Sequence, residues 1–564
     1  MLIYISKGAY RVSLQKPIDM LRSFFLLFTF YFFIGAVIAQ KAPQSTLGKP
    51  KLVVGIVVDQ MRWDYLYHFQ NRYGNTGFKR LLKEGFSCEN TMIPYLPTYT
   101  APGHTCVYTG SIPAIHGVIG NNWFDTEKNA IMYCTDDKSV LPVGGSWRSG
   151  RMSPKNMLTT TICDELRLSN NFQSRVFGIS LKDRGGILPA GHSANAAYWY
   201  DDSTGNWMTS SFYMKNLPGY VDDFNAKKLS DKFLKQNWNT LYPISSYTLS
   251  TADDKAYEMR AETEANPVFP HMTEKALLKN NYKELRYSPY GNTITFDFAK
   301  TIVDAEKMGS NGVTDFLAMS LSTPDYVGHR FGPNSIEIED TYLRLDKELG
   351  EFLNYLDTKI GKGQYLVFLS SDHGVGHVTD FLAEHKIPGG MFSKREFEKI
   401  LIQRADSLFN IKKVVKYMNN FQLYLDNAAI KASGKEKEVY DFVVNYCREP
   451  EFVQDAFYLK DMYKTNMPEP IAEMTKSGYN LKRSGDIQMF LKPGWFEMWD
   501  HAATHGLSAP YDRHIPLLFF GWNIKPGKLY RETYMTDIAP TLAAMLQIQM
   551  PNGSVGKVIT ELVK

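Results

Sequence analysis

A chain of 564 residues, 44% hydrophobic and 22% charged, can bury a large core, which argues against a disordered or fibrous protein. Its formal charge of +4 sits mostly at the start, where residues 1–39 carry Lys7, Arg11, Lys16 and Arg22 against Asp19, so the rest of the chain is close to neutral. Without a basic tract or an aromatic–basic repeat, no nucleic acid is expected as a partner. Five cysteines (Cys88, Cys106, Cys134, Cys163, Cys447) form no C-x-x-C pair, which argues against a structural zinc ribbon.

Arg22 precedes an apolar run from Phe24 to Ile38, and Ala36-Val37-Ile38-Ala39 before Gln40 has the small-residue pattern of a cleavage site. Residues 1–39 therefore read as a signal peptide, with Met20 an alternative start. The rival is a membrane anchor, but the run is short for a span. No stable anchor is expected after cleavage, and the chain is read as exported, periplasmic or secreted.

Leu52–Val58 is an uninterrupted apolar run, as expected of a central parallel strand covered on both faces, and it ends at Asp59. A helix is expected at Phe78–Lys83, closed by Gly85. Pro97-Thr98-Tyr99-Thr100-Ala101-Pro102-Gly103-His104-Thr105 comes next, with a short helix starting near Thr100 and running through Tyr108. A Gly-flanked turn, Gly117–Trp123, carries Asn121 and Asn122. Val176–Leu181 leads into Lys182-Asp183-Arg184, and a hairpin is expected from Ala196–Asp201 and Asn206–Tyr213. Residues 214 to about 290 are mixed. Phe316–Leu321 then runs into Thr323-Pro324-Asp325-Tyr326-Val327-Gly328-His329. A helix is expected over Ile336–Leu356, and Tyr365–Ser370 runs into Ser371-Asp372-His373-Gly374. Ile515–Phe520 reads as the last core strand, and Thr536 to Thr541 opens the final helix.

This order predicts an α/β fold, a central and mostly parallel sheet flanked by helices. One catalytic domain over 40–564 carries two insertions, at about 190–300 and 385–495, forming a smaller cap. The second insertion reads as helical at first and strand-like later.

Three apolar strands end in acidic or His-containing loops, at Asp59, Asp325 and Asp372, where ligands of an open parallel sheet bind. D-x-x-x-H (Asp325, His329) and D-H-G (Asp372, His373) offer the oxygen and nitrogen donors that zinc takes. His505 is a weaker candidate, and His377, His501 and His514 are its competitors. Thr100 stands at a helix N-terminus, where a hydroxyl is most often a cap, but two metal ions nearby would make it a nucleophile.

VVDQMRWDYL from Val57, PTYTAPGHTCVYTGSIPAIHGVIGNNW from Pro97, SLKDR from Ser180, STPDYVGHRFGPNS from Ser322, SSDHG from Ser370 and THG around His505 together resemble the alkaline phosphatase superfamily. The likeness is to the phosphate-irrepressible alkaline phosphatases of the exported bacterial type, and it runs from about Lys51 to the C-terminus. It implies two zinc ions, one held by Asp325, His329 and His505, the other by Asp59, Asp372 and His373 with Thr100 as ligand and nucleophile. It implies that Asn121, Lys182 and Arg184 contact the phosphate of small-molecule monoesters, and a monomer is expected. Attack by Thr100 would give a phosphothreonine that water hydrolyses. The backbone N–H groups after Thr100 would help neutralise the phosphoryl oxygens.

The alternative is a nucleotide pyrophosphatase or phosphodiesterase of the same superfamily, which could use the same ligands. Lys182-x-Arg184, a cation pair suited to a dianionic monoester, discriminates against it. A sulfatase lacks support, because Ser111-Ile112-Pro113 has no Arg two positions after the proline. A binding protein that kept the fold would be expected to have lost a ligand or Thr100, and none is lost.

Overall fold

The apolar run after Lys51 is a strand, β1 (Leu52–Val58), with every residue buried. In chain order it is followed by β2 (Phe86–Cys88), β3 (Pro142–Val143), β4 (Val176–Ser180), β5 (Ala196–Asp201), β6 (Asn206–Ser210), β7 (Asp315–Leu321), β8 (Tyr365–Ser370), β9 (Leu517–Gly521) and β10 (Gly527–Leu529). These make one ten-stranded sheet in the order β10-β2-β9-β8-β1-β7-β4-β5-β6-β3. The middle, from β8 to β5, is parallel. Antiparallel pairings of β9 with β8 and β2, and of β6 with β5 and β3, flank it. This computed structural model describes residues 48–279, 282–498 and 503–563. The expected signal peptide and His501 lie outside them.

Register sets the height of the strand ends. Val57 pairs with Ser320 of β7 and with Ser370 of β8, so the chain leaves all three strands at one edge of the sheet. Asp59, Asp325 and Asp372 are carried past that edge together.

Six helices matter for the site and its support: α1 (Thr100–Thr109), α2 (Asp183–Ala190), α3 (Tyr290–Ala305), α4 (Thr323–Phe331), α5 (Ile336–Leu356) and α6 (Ile538–Leu546). The two faces of β1 belong to two cores. Leu52, Val54 and Ile56 pack with Phe298 of α3 and Leu345 of α5, whereas Val53 and Val57 pack with Val107 of α1 and Leu542 of α6. Burying each such side chain contributes about 1.5–3 kcal/mol, which is why a strand covered on both sides shows no polar alternation.

The expected hairpin forms, but its strands β5 and β6 extend the main sheet, and α3 packs on it. Only the middle of the stretch 190–300 is therefore an excursion, with short helices such as Gly219–Ala226 and Leu229–Leu234. The second insertion interleaves its elements instead of running from helix to strand. Helices Lys394–Phe409 and Glu436–Arg448 cover an antiparallel sheet ordered Val415–Asn419, Gln422–Leu425, Ile487–Leu491, Val453–Tyr458. It has its own core of residues such as Leu401, Val443 and Ile487.

Ile515 pairs with Thr91 in a separate small sheet, and β9 starts after Pro516, which has no N–H to donate. Among the described residues all five cysteines are free and buried, and no helix is long and apolar enough to cross a membrane.

Candidate active site

Thr100 is the first helical residue of α1, after Tyr99 in extended conformation, and its side chain caps nothing. Its Oγ1 lies instead 3.4 Å from Nε2 of His373. The helix can come this close to the β8 loop because residue 103 is glycine. A Cβ there would run into the backbone and side chain of Asp372.

The amides behind Thr100 are already used. Ala101 N–H donates to Asn121 Oδ1 at 2.9 Å, residue 102 is proline, and Gly103 N–H donates to the Tyr99 carbonyl at 3.0 Å. The helix N-terminus therefore orients Asn121 and offers none of these three positions to a phosphate, contrary to the expectation from sequence.

Two groups of buried donors come together. Asp59, Asp372 and His373 form one, and Asp325, His373 and His505 the other, each with ligand atoms within 4.8 Å of one another. The first matches the expected set. In the second, His373 stands where His329 was expected. His329 lies one turn along α4 from Asp325, its Nε2 3.1 Å from Asp325 Oδ1. The rings of His373 and His505 are stacked with centroids 3.5 Å apart.

All three imidazoles present Nδ1 to a backbone carbonyl: Gly374 at 3.0 Å for His373, Ala503 at 2.7 Å for His329, Thr98 at 2.6 Å for His505. A carbonyl only accepts, so Nδ1 carries a proton, and Nε2 keeps a lone pair wherever the ring is neutral. Burial lowers the pKa of His373, and burial with the neighbouring His373 and His329 lowers that of His505 well below the usual value. Both rings are thus held neutral. His373 Nε2 then faces Asp372 Oδ2 at 3.4 Å and Asp59 Oδ1 at 3.6 Å, lone pair against lone pair.

Neither of those oxygens has a hydrogen-bond donor. Asp372 Oδ2 is 3.2 Å from His104 Nδ1, but that nitrogen directs its proton at the Thr100 carbonyl, 3.0 Å away. Buried carboxylate oxygens without donors, opposed by imidazole lone pairs, call for shared cations. The residues fit metal ions.

Burial, with Asp325 and Asp372 close by, holds the pKa of Asp59 well above the usual carboxylate value. Burial also works to raise Asp325, but His329 and Lys182 outweigh it and hold that carboxyl well below the usual value. Lys182 reaches both acids, 2.6 Å from Asp59 Oδ2 and 2.5 Å from Asp325 Oδ2. Arg184, in the first turn of α2, donates to Tyr133 Oη at 3.1 Å.

Two residues of the site are not evident from sequence. Gln60, at φ 66°, donates its backbone N–H to Asp372 Oδ1 and its amide to Asp325 Oδ1, at 3.1 and 2.8 Å. His104 links the Thr100 carbonyl to Ser320 Oγ, 2.8 Å from its Nε2. The one signal for His104 is its i+4 spacing from Thr100 on a helix. Of the competing histidines, His377 bonds Asn334 and His514 stacks on Trp63, both outside the two groups.

A mostly parallel sheet, a hydroxyl at a helix start and two candidate metal-ligand groups sharing one imidazole define a phosphohydrolase of the alkaline phosphatase type. The sequence matches the type I phosphodiesterase / nucleotide pyrophosphatase family over residues 53–508. It is 52% identical to the alkaline phosphatase PhoV of Synechococcus elongatus over 92% of this chain and 94% of that one. It is 50% identical to a protein of Myroides odoratus named calcium-transporting ATPase, over 94% and 97%. The crystal structure of wild-type alkaline phosphatase PafA superimposes with a TM-score of 0.90 at 44% identity, covering 92% of this chain and all of that one. The chain belongs to this family, as an alkaline phosphatase of the phosphate-irrepressible type, and its activity is that of a phosphomonoesterase.

Proposed function

We propose that the protein is an exported, two-zinc phosphatase that passes the phosphoryl group through a phosphothreonine at Thr100. The carrying observation is that the Thr100 hydroxyl caps nothing and faces Nε2 of His373, the residue common to both ligand groups. Asp59, Asp372, His373 and Thr100 would hold one ion, and Asp325, His505 and His329 the other. When bound, the ions supply Lewis acidity that stabilises charge on phosphoryl oxygens and lowers the pKa of a nearby hydroxyl. The export signal over 1–39, the single domain over 40–564 with its insertions, and a monomeric state belong to the same reading.

The chain's own groups divide the remaining work. Thr100 Oγ forms the bond to phosphorus as the ester oxygen leaves with the alcohol, and water then releases inorganic phosphate and restores the hydroxyl. Asn121 is fixed by the Ala101 amide, so its side chain is held beside the nucleophile. Lys182 and Arg184 carry the positive charge that a dianionic phosphoryl group needs. Because the amides after Thr100 are committed, these side chains bear most of that load.

The test compares a monoester, a diester and a sulfate ester for the wild type and for Lys182→Ala/Arg184→Ala. A monoester dianion has three nonbridging oxygens, while a diester carries one charge fewer and a substituent where the cations would reach. Charge-assisted contacts of about 1.5–3 kcal/mol each put the expected loss for the monoester at roughly tenfold or more per contact, with little loss for the diester. An unchanged ratio of the two kcat/KM values would move the diesterase reading ahead.

A further inference from the structure

A cavity of about 630 Å³, within the range of small-molecule sites, has Tyr133, Arg148, Asp201, Lys283 and Arg286 in its wall. One of these residues touches a side chain expected to hold the substrate's phosphate, and a second reaches the other through Tyr326. Tyr133 Oη accepts from Arg184 Nη1 at 3.1 Å. Arg286 Nη1 donates to Tyr326 Oη at 2.7 Å, and the Tyr326 ring lies 5.0 Å from Lys182 Nζ. The cavity wall is thus joined to Arg184 through Tyr133, and to Lys182 through Arg286 and Tyr326.

The charge in the cavity is asymmetric once internal pairs are accounted for. Asp183 accepts from Tyr133 Oη at 2.7 Å and Thr135 Oγ1 at 2.5 Å. Asp201 accepts from the Ser146 amide at 2.7 Å and from the hydroxyls of Ser149, Ser203 and Thr204. Asp202 is paired with Arg286 Nε at 2.5 Å. All three acids are satisfied within the protein. Arg148 and Lys283, by contrast, are exposed and make no ion pair among the described residues. What the cavity leaves uncommitted is positive.

We propose that this cavity is a second anion subsite, taking a non-reacting phosphate or carboxylate on the organic part of a phosphate monoester. The reacting phosphate sits with Lys182 and Arg184 while the second anion sits with Arg148 and Lys283. This deepens the phosphomonoesterase reading and rests on it. A substrate with one anionic end gains nothing from the subsite. A substrate with two gains affinity, and so a lower KM, while kcat stays with the chemistry at Thr100.

The experiment uses full-length, zinc-loaded protein with hexyl phosphate and hexane-1,6-diyl bisphosphate as probes. In the wild type the bisphosphate is expected to have the higher kcat/KM by more than the twofold due to its two equivalent ends. Arg148→Ala/Lys283→Ala should raise KM for the bisphosphate about tenfold, as loss of charged contacts does, and leave hexyl phosphate unchanged. Lys412→Ala/Lys413→Ala, which removes equal charge from the second insertion, should leave both substrates unchanged. A preference for the bisphosphate that survives in Arg148→Ala/Lys283→Ala, or that falls equally in the Lys412 and Lys413 variant, overturns the subsite. Failure of the folded wild type to hydrolyse hexyl phosphate would instead overturn the phosphatase reading itself.

Discussion

Lys182 Nζ stands 2.6 Å from Asp59 Oδ2 in an ion pair that solvent does not reach. The same ammonium is 2.5 Å from Asp325 Oδ2, so one cation bridges carboxylates from two different ligand groups. Burial disfavours that charge, but Asp325 and Asp59 outweigh it and hold the Lys182 pKa above its usual value. A divalent ion at either group would compete with Lys182 for these oxygens and leave the ammonium available to a phosphate. Removing one partner of a buried pair costs about 3–5 kcal/mol. Lys182→Ala should therefore melt well below the wild type in chelator, with the gap narrowing when zinc is added. Thermal melts of both proteins with and without zinc check this, and an equal gap in both conditions would show that Lys182 and the metal do not share the carboxylates.

Chelation tests the ligand groups themselves. Exhaustive removal of metal should abolish activity, and zinc should restore it better than magnesium, since magnesium prefers all-oxygen octahedral surroundings. His505→Ala should lower the zinc bound per chain, measured by elemental analysis. His514→Ala should leave it unchanged, because that ring stacks on Trp63 with centroids 4.6 Å apart and bonds the Glu89 carbonyl. Full activity with metal near zero would end the two-metal reading.

How much of this site shows in the sequence depends on the kind of signal each residue leaves. The strands ending at Asp59, Asp325 and Asp372 are legible because a parallel strand buried on both faces is an unbroken apolar run. The helix Ile336–Leu356 is legible from its period, and its bounds are those of α5. Gln60 is not legible. Its role depends on a left-handed backbone that lets one residue reach both Asp372 and Asp325. Nor is the sharing of His373, which depends on the height at which β1, β7 and β8 end relative to one another. The strands β5 and β6 carry the same pattern as any surface hairpin, so local sequence does not tell whether they join the main sheet.

His271 allows a test of the fold away from the ligand groups. It lies between Glu264 Oε2 at 3.2 Å and Glu337 Oε1 at 3.0 Å. Burial disfavours its charge, but Glu264 and Glu337 raise its pKa from 6.5 to about 9. A folded value above the unfolded one means that the charged ring stabilises the fold fully below pH 6.5, and that this stability is lost as pH rises through 9. At about 1.4 kcal/mol per unit, His271→Asn should cost roughly 3 kcal/mol near pH 6 and much less near pH 10. Urea unfolding of both proteins across that range checks it. A gap that does not shrink with pH would mean that packing, not charge, is what His271 contributes.

Thr100 decides between a covalent route and direct attack by water. Its hydroxyl is buried, caps no amide and lies 3.4 Å from His373 Nε2, so it has no structural duty that alanine would fail to perform. Thr100→Ala should therefore fold and bind metal through Asp59, Asp372 and His373, yet lose most of its activity. Thr100→Ser keeps the oxygen and loses only the methyl that restricts χ1, so it should retain a large share of kcat. A covalent route differs from direct attack by water in one further observable. Stopping the reaction in acid should leave phosphate on Thr100 of the wild type and on residue 100 of Thr100→Ser, located by mass spectrometry of the peptide containing His104. Phosphate on another residue, or Thr100→Ala running near the wild-type rate, would show that Thr100 is a bystander and that water attacks phosphorus directly.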